Sequence, residues 1–519
     1  MRLKHLGWAA CSVAAIILSQ ASAGAQEAEA PAALRRPTEA LTAFDEGQKL
    51  LEGKQYKEAL AKFNEAIRAD PTFPEAYVGK GDAQRELEDY QQAANTYSQA
   101  LNIDTRSAAA YNGRGECFLE LMQIDLASND FNNAMELAPS DPKVLSNVGH
   151  ILANYSRDLA AMTTAIRRLD EAIAGNANDA RAYRDRGWAH TQLREFDKAE
   201  ADITKATEIE PGDYENFSTL ANLYQFQEKL EPAIDALTKA IDAYKPKKKG
   251  EPEVFANGYV ARADARLKLA EKEKDAQKSE ALLTAVVDDA NMILDKFEGR
   301  PTEEGIAYFR KGRAERMLER YSDAVNSFNR AIRAVQPGQE ANYIAEALMY
   351  RGICWYYMGE TELARGDFEQ ASASGSGYQD PRVFLWIGFT HHKEGNYRDA
   401  INSYGEAIAK SPDFAMAHVN KGRAYMDLKE YKRAIESFNN AIRSEPDVGE
   451  YYYNVGFAYM QLEQYQRAAD FLRLALLQDD PQPKMYRLMA TAMRELGRGE
   501  LADEYEKKAD ALPAQSAAK

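Results

Sequence analysis

One segment of this chain returns at a fixed spacing, and that spacing restricts the fold more than any other feature of its 519 residues. The stretch YKEALAKFNEAIRADP from Tyr56 comes back as YSDAVNSFNRAIRAVQP from Tyr321, YRDAINSYGEAIAKSP from Tyr397 and YKRAIESFNNAIRSEP from Tyr431. Aligning these segments gives a period of 34 residues, with units starting near Ala40, Pro74, Ala108, Pro142, Ala180, Tyr214, Gly305, Ala345, Pro381, Ala415 and Gly449. A degenerate unit fills about 256–304 and a final one starts near Pro483, about thirteen in all. A chain of this length is too long for one compact core, and the period selects an extended array over unrelated globules.

Each unit has two helical halves joined by a polar turn such as LEDY, LREF, EGNY or LKEY. The second half repeats small, large and small residues at i, i+4 and i+7, as in Ala59, Phe63, Ala66 and Ala434, Phe438, Ala441. Those offsets share one helical face, where two alanines admit a neighbouring helix and the aromatic fills the space beside the crossing. The first half carries a small residue at unit position 8, including Gly47, Gly81, Gly115, Gly312, Gly352, Gly388 and Gly422. Glycine inside a helix costs about 1 kcal/mol against alanine, so its recurrence marks a crossing with no room for a side chain. Prolines such as Pro71, Pro139, Pro211, Pro412 and Pro446 end the second helix. Antiparallel hairpins follow, none able to bury its apolar face alone, and a stack of them shares one continuous core.

The 34-residue period, the small residue at position 8, the alanines at 20 and 27, the aromatic at 24 and the proline at 32 resemble the tetratricopeptide repeat family, from residue 40 to about 510. The resemblance implies an all-α solenoid: a right-handed superhelix of antiparallel helix hairpins, with the first helices lining the inner surface. Four extra residues in the unit from Pro142 and about fifteen near 256–304 depart from the pattern, and EKEKDAQK (271–278) is expected to prolong a helix or form a loop. The Pro- and Lys-rich break divides an N-terminal lobe at 40–247 (about six repeats) from a C-terminal lobe at 256–516 (about seven), through a loop at 248–255 and with a tail at 517–519.

Ahead of the repeats, Arg2, Lys4 and His5 precede an apolar run from Trp8 to Leu18 and Ala-x-Ala patterns ending at Ala23 or Ala25. Residues 1–25 read as a secretory signal peptide, too short in its apolar run to span a bilayer, and 26–39 as a flexible linker. The chain is therefore expected to be exported, periplasmic or extracellular. Cleavage removes two cations and no acid, taking the formal charge from −16 to −18. Such a surface repels a phosphate backbone, so nucleic acid is not the expected partner, and the basic run at Lys245–Lys249 reads as a solvated loop. Cys117 and Cys354 both occupy position 10, six units apart, which is too far for a disulfide; they read as small buried hydrophobes.

Catalytic motifs do not stand out: there is no Gly-rich phosphate loop, paired-Cys motif, G-x-S-x-G or H-E-x-x-H. His190, His391 and His418 fall in core columns and read as packing residues; no metal, cofactor or enzymatic activity is expected. The informative columns are 2, 5, 9, 12 and 13, opposite the packed face of the first helix. In early units they hold Glu75, Asp82, Arg85, Glu86, Asn112, Glu116 and Glu120. From Gly305 onward they hold Phe309, Arg313, Arg316, Met317, Met349, Ile353, Tyr356, Tyr357, Arg382, Leu385, Phe389, Met416, Val419, Arg423, Met426, Tyr453, Phe457 and Met460. Either adjacent first helices bury this second apolar stripe, or it lines a groove whose aromatic, methionine and arginine side chains grip a peptide. Some family members clamp a peptide carboxylate with Lys, Asn and Arg. Asn147, Asn420, Asn454 and Arg181 match parts of that pattern, but Asp185 stands where arginine would be needed.

The expected function is an exported scaffold that binds proteins or extended peptides through its concave face; the acidic columns of the first lobe would favour a basic segment. The narrower alternative is a dedicated subunit of an envelope assembly, secretion or polymer-export complex. An enzyme hidden in the array, or a nucleic-acid binder of the helical-hairpin type, fits the sequence less well.

Overall fold

The computed structural model describes residues 36–246, 252, 254–335, 343–373, 380–478 and 482–512. The signal peptide, most of the linker, most of the basic run and the tail expected from sequence lie outside these. The described residues form 26 α-helices and no strand, and the chain divides into two compact units, 1–195 and 196–519.

Unit 1 runs α1 (Thr38–Glu52), α2 (Tyr56–Ala69), α3 (Pro74–Glu86), α4 (Tyr90–Ile103), α5 (Ala108–Glu120), α6 (Ile124–Leu137), α7 (Pro142–Tyr155), α8 (Leu159–Gly175) and α9 (Ala180–Gln192). Unit 2 begins with α10 (Phe196–Ile209), α11 (Tyr214–Phe226), α12 (Leu230–Ala243), α13 (Ala256–Lys272), α14 (Ala276–Lys296), α15 (Pro301–Met317), α16 (Tyr321–Arg333), α17 (Ile344–Met358) and α18 (Thr361–Ala373). It continues through α19 (Pro381–Lys393), α20 (Tyr397–Lys410), α21 (Ala415–Asp427), α22 (Tyr431–Ser444), α23 (Gly449–Gln461), α24 (Tyr465–Ala475), α25 (Pro483–Glu495) and α26 (Gly499–Ala511). The first helices start within a few residues of the unit starts read from sequence. The EKEKDAQK segment both ends α13 and opens α14, whose N-terminus Asp275 caps by accepting from the Gln277 and Lys278 amides at 2.9 and 3.2 Å.

The position-8 glycines do what their recurrence implied. A Cβ at Gly47, Gly81, Gly312 or Gly422 would lie 2.5–2.8 Å from the ring of Phe63, Tyr97, Phe328 or Phe438 respectively, each ring at position 24 of the same hairpin and 1% exposed or less. Position 15 adds a feature of the turn. Its φ is positive in Lys54, Glu88, Met122, Arg194, Glu228, Glu319, Lys429 and Glu463, and glycine holds the place only in Gly359, Gly395 and Gly497. The next amide reaches back five residues, as from Gln55 to the Leu50 carbonyl at 2.8 Å and from Glu430 to Tyr425 at 2.8 Å. This closing bond stops the first helix and reverses the chain.

Within each unit the first helices also meet one another: α1 with α3 and α3 with α5 in unit 1, α13 with α15, α15 with α17 and α17 with α19 in unit 2. Second helices do not approach each other to the same degree among the described residues. Neighbours that touch along one edge and part along the other put the first helices on the inner wall of each stack.

Candidate functional site

On the inner wall of unit 2 burial largely follows position, with Tyr453 at position 5 and Ile353 at position 9 as departures. Phe309, Met349, Leu385 and Val419 at position 5, with Ile353 at position 9, are 5% exposed or less and belong to the hydrophobic core. Their burial follows from the contact between successive first helices, which closes over position 5 and places Phe309 5.3 Å from the Tyr343 ring and 6.3 Å from Tyr350. For these residues packing explains the stripe. Arg313, Arg316, Met317, Tyr356, Phe389, Met426, Tyr453 and Met460 are half-buried, and Tyr357, Arg382, Met416, Arg423 and Phe457 are exposed. These thirteen keep a surface toward solvent.

Part of that surface is one aromatic cluster across α17 and α19. Tyr356 and Tyr357 meet Trp386 at 5.4 and 6.1 Å between centroids; Trp386 meets Phe389 edge-on at 5.1 Å, and Tyr357 stacks on Tyr321 at 5.2 Å. Lys393 lies 4.4 Å above the Tyr356 ring and donates to its carbonyl at 3.0 Å. On the preceding hairpin, the Arg316 and Arg313 guanidiniums lie 4.9 and 5.6 Å from the Tyr350 ring. Farther along, Tyr453 stacks on Phe457 at 6.4 Å with Lys484 over its face at 5.1 Å. Sequence reasoning passed over Tyr350, Trp386 and Lys393. Tyr350 and Trp386 share position 6, the column that elsewhere holds Asn147, Asn420 and Asn454, so a column of mixed polar and aromatic residues was the available signal.

A cleft of about 730 Å³ adjoins this wall, lined by Asp264, Phe309, Arg310, Arg313, Tyr343 and Glu346 among others. Arg310 reaches Asp264 at 2.7 Å and Arg313 reaches Glu271 at 3.2 Å, both on α13.

The inner wall of unit 1 is built differently. Glu116 bonds to Arg85, accepts from Lys143 at 3.2 Å and from Asn147 at 3.0 Å, while Asn147 also donates to Asn112 at 2.9 Å and accepts from Arg181. Tyr97 donates to Asp82 at 2.7 Å, and Asp185, 2% exposed, holds His150 at 2.7 Å and Asn154 at 3.1 Å. Burial pushes the Asp82 carboxyl above its usual range, whereas the neighbouring His150 draws that of Asp185 down against its burial. The acids expected to receive a basic segment thus pair with cations of the same wall, and the partial carboxylate clamp at Asn147 and Arg181 is occupied by its own neighbours. Asn420 donates to the Met416 carbonyl at 2.7 Å, and the Asn454 amide nitrogen has no partner.

His190 is buried and meets Glu195 at 2.6 Å, His418 is buried and meets the Pro412 carbonyl at 2.9 Å, and His392 meets Asp427 at 2.7 Å. Among the described residues no group of His, Cys, Asp and Glu is arranged to hold a metal ion, and no helix is long and apolar enough to cross a membrane. Cys117 and Cys354 are free and fully buried.

Known proteins resemble this chain through its repeats. Two profiles described as tetratricopeptide repeat match it, one over residues 162–214, 309–381, 391–442 and 421–486, the other over 50–117. Sperm-associated antigen 1 of Mus musculus is 24% identical over 321 residues, 53% of this chain and 32% of that protein. Tetratricopeptide repeat protein 13 of Homo sapiens is 30% identical over 108 residues, 21% of this chain and 12% of that protein. The chain thus spans a third or less of the length of these curated relatives. The solved Cut9–Hcn1 hetero-tetramer of the APC/C is 14% identical, with 91% of this chain and 93% of that one covered at a TM-score of 0.37. Period, hairpin geometry and profile matches agree: the chain belongs to the tetratricopeptide repeat family, whose stacked hairpins serve as protein–protein interaction scaffolds.

Proposed function

We propose that this protein is a binding scaffold, without chemistry of its own, that holds a protein or extended peptide on the inner wall of unit 2. The observation that carries the reading is the aromatic cluster of Tyr356, Tyr357, Trp386 and Phe389, which is left partly open beside position-5 side chains, Met349 and Leu385, that are already packed. Aromatic and methionine side chains flanked by arginines are the composition of partner-binding surfaces, where large rigid area is gained at low entropy cost. Met416 at 53% exposure and Phe457 at 39% extend the same surface along α21 and α23.

The test is Phe389→Glu combined with Phe457→Glu. Cross-linking in the native compartment should recover specific partners with the wild-type chain and lose them with the double variant, whose circular dichroism stays helical. Unchanged partner capture by a folded double variant would overturn the reading. Export of the mature chain belongs to the same proposal and is supported by the charge and apolar pattern of residues 1–25. N-terminal sequencing of the protein from fractionated cells should find a start just after Ala23 or Ala25 in the exported fraction; an intact Met1 in the cytosol would refute it.

A further inference from the structure

We propose that the partner of this wall is an extended acidic segment, with one of its carboxylates held by Arg316 and a second by Lys393, on either side of the aromatic cluster. The inference rests on the reading that the inner wall of unit 2 binds a peptide, and adds the chemistry of what it selects.

Two cations of this wall are left over when its charges are paired. From Gly305 to Gln461 the inner columns carry the cations Arg313, Arg316, Arg382, Lys393 and Arg423 against the carboxylates Glu346, Asp427 and Glu450, in a chain whose overall charge is −16. Most of these are engaged. Arg313 pairs with Glu271 at 3.2 Å, Arg382 with Asp380 at 2.5 Å and Arg423 with Glu450 at 3.7 Å, while Asp427 meets His392 at 2.7 Å. Glu346 stands near the start of α17, at the opposite end of that helix from Tyr356. Arg316 and Lys393 have no carboxylate within salt-bridge reach among the described residues.

The isolation of Arg316 has a structural origin. Its neighbours on α15, Arg310 and Arg313, reach back to Asp264 and Glu271 on α13, and α13 ends at Lys272, so no helical position remains to present a third acid. The Arg316 Nε is buried without a hydrogen-bond partner and its guanidinium lies 4.9 Å from the Tyr350 ring. The side chain as a whole is half-buried and keeps part of its surface open to solvent, and a planar guanidinium suits an incoming carboxylate. Lys393, at position 13 where Arg316 is at position 12, is two hairpins away and lies exposed over Tyr356. Both charged groups reach the intervening α17, Arg316 at Tyr350 and Lys393 at Tyr356, which are about 9 Å apart along that helix, a span that about three residues of extended peptide cover. Apolar residues between the two acids would lie on Tyr356, Trp386 and Phe389. The acidic surface elsewhere disfavours the same segment, so attraction is local and fixes register.

Fluorescence anisotropy of the full chain with labelled peptides of about ten residues tests this, with Leu or Phe at the centre and Glu scanned against Gln and Lys at the flanks. Glu-flanked peptides should bind about tenfold more tightly than their Gln counterparts. Arg316→Gln should erase the preference at one flank and Lys393→Gln at the other, with Arg316→Lys restoring part of it in an equally helical protein. A Glu-over-Gln ratio unmoved by Arg316→Gln, or tighter binding of Lys-flanked peptides, overturns the proposal. If Phe389→Glu abolishes binding while that ratio ignores Arg316→Gln, the wall is the binding surface and the acidic partner is wrong. If no peptide binds, or Phe389→Glu changes nothing, both readings fall together.

Discussion

Two glycines of unit 2 should answer the same substitution with opposite signs. Gly388 is at position 8 of α19, and a Cβ there would lie 2.3, 2.5 and 2.9 Å from the Cε1, Cδ1 and Cζ atoms of Tyr404. Carbon atoms in ordinary contact are about 3.5–4.0 Å apart, so α19 and the ring must separate by about 1 Å. Tyr404 has no exposed surface and its ring abuts Phe389 at 5.9 Å, so it has nowhere to withdraw. Overpacking of this kind costs about 1–3 kcal/mol, and the better helix propensity of alanine returns about 1 kcal/mol, leaving Gly388→Ala destabilising by about 1 kcal/mol. Gly366 in α18 has nothing within 4 Å of the same added atom, so Gly366→Ala keeps the propensity gain of about 1 kcal/mol. The chain itself supplies the compensation: where position 8 is Ala221, position 24 is Leu237. Gly388→Ala should therefore cost less when Tyr404→Leu is already present.

Because a solenoid unfolds in segments, urea denaturation followed by circular dichroism should be joined to hydrogen exchange of the α19 and α20 amides. The expected signature is reduced protection there for Gly388→Ala alone, a smaller further loss when the same substitution is made beside Tyr404→Leu, and a higher midpoint for Gly366→Ala. Equal stabilisation by both glycine substitutions would show that the crossing has room for a methyl group and refute the packing argument.

Asp367→Ala should lower stability by about 2 kcal/mol, since it removes the buried carboxylate that holds the half-buried Arg351 guanidinium through two bonds of 2.7 and 2.5 Å. Arg351 also donates to Asn329 of the preceding hairpin at 2.6 Å, so protection should fall in α16 as well as α17 and α18; a thermal midpoint equal to that of the wild type would mean the pair is screened. Burial pushes the Cys117 and Cys354 thiols up to about 12, so at pH 8 both are protonated and enclosed. Iodoacetamide should label neither in the folded chain and both after unfolding; stoichiometric labelling under native conditions would contradict their burial.

The repeat made the hairpins legible because each column is sampled about a dozen times, so accidental residues average out while a required glycine or aromatic persists. The inner wall was legible only in part. A helical wheel treats position 5 as the face opposite the packed one, but a first helix in a stack has four neighbours: its own second helix, the second helix of the preceding hairpin and the first helices on either side. Phe309, Met349, Leu385 and Val419 are therefore core residues, the packing alternative of the two that the wheel left open. The ion pairs that tie hairpins together went unread as well, although their columns were visible. Arg114 and Arg351 at position 7 grip Asp130 and Asp367 at position 23, and each reaches a polar residue at position 25 of the preceding unit, Ser98 at 3.0 Å and Asn329 at 2.6 Å. Charged residues at those columns look like solvated surface until the preceding hairpin is set beside them.

One scaffold thus gives two walls of different character, and the difference lies in what the side chains leave unsatisfied. In unit 1 the acid of one hairpin meets cations of its neighbours: Glu116 on α5 bonds to Arg85 on α3 and Lys143 on α7, and Arg181 on α9 caps the chain through Asn147. An incoming ligand there would have to replace bonds already made, and the partners it displaced would be left partly desolvated, so the exchange gains little. In unit 2 the apolar position-5 residues close the seam between first helices and need nothing further. Apart from the buried Ile353, the side chains at positions 9, 12 and 13 then stand beyond a finished core, with aromatic faces half covered and Arg316 without an acid. Ligand selection on such a scaffold does not require a separate domain: substitution at a few columns decides whether a wall satisfies itself or waits for another chain.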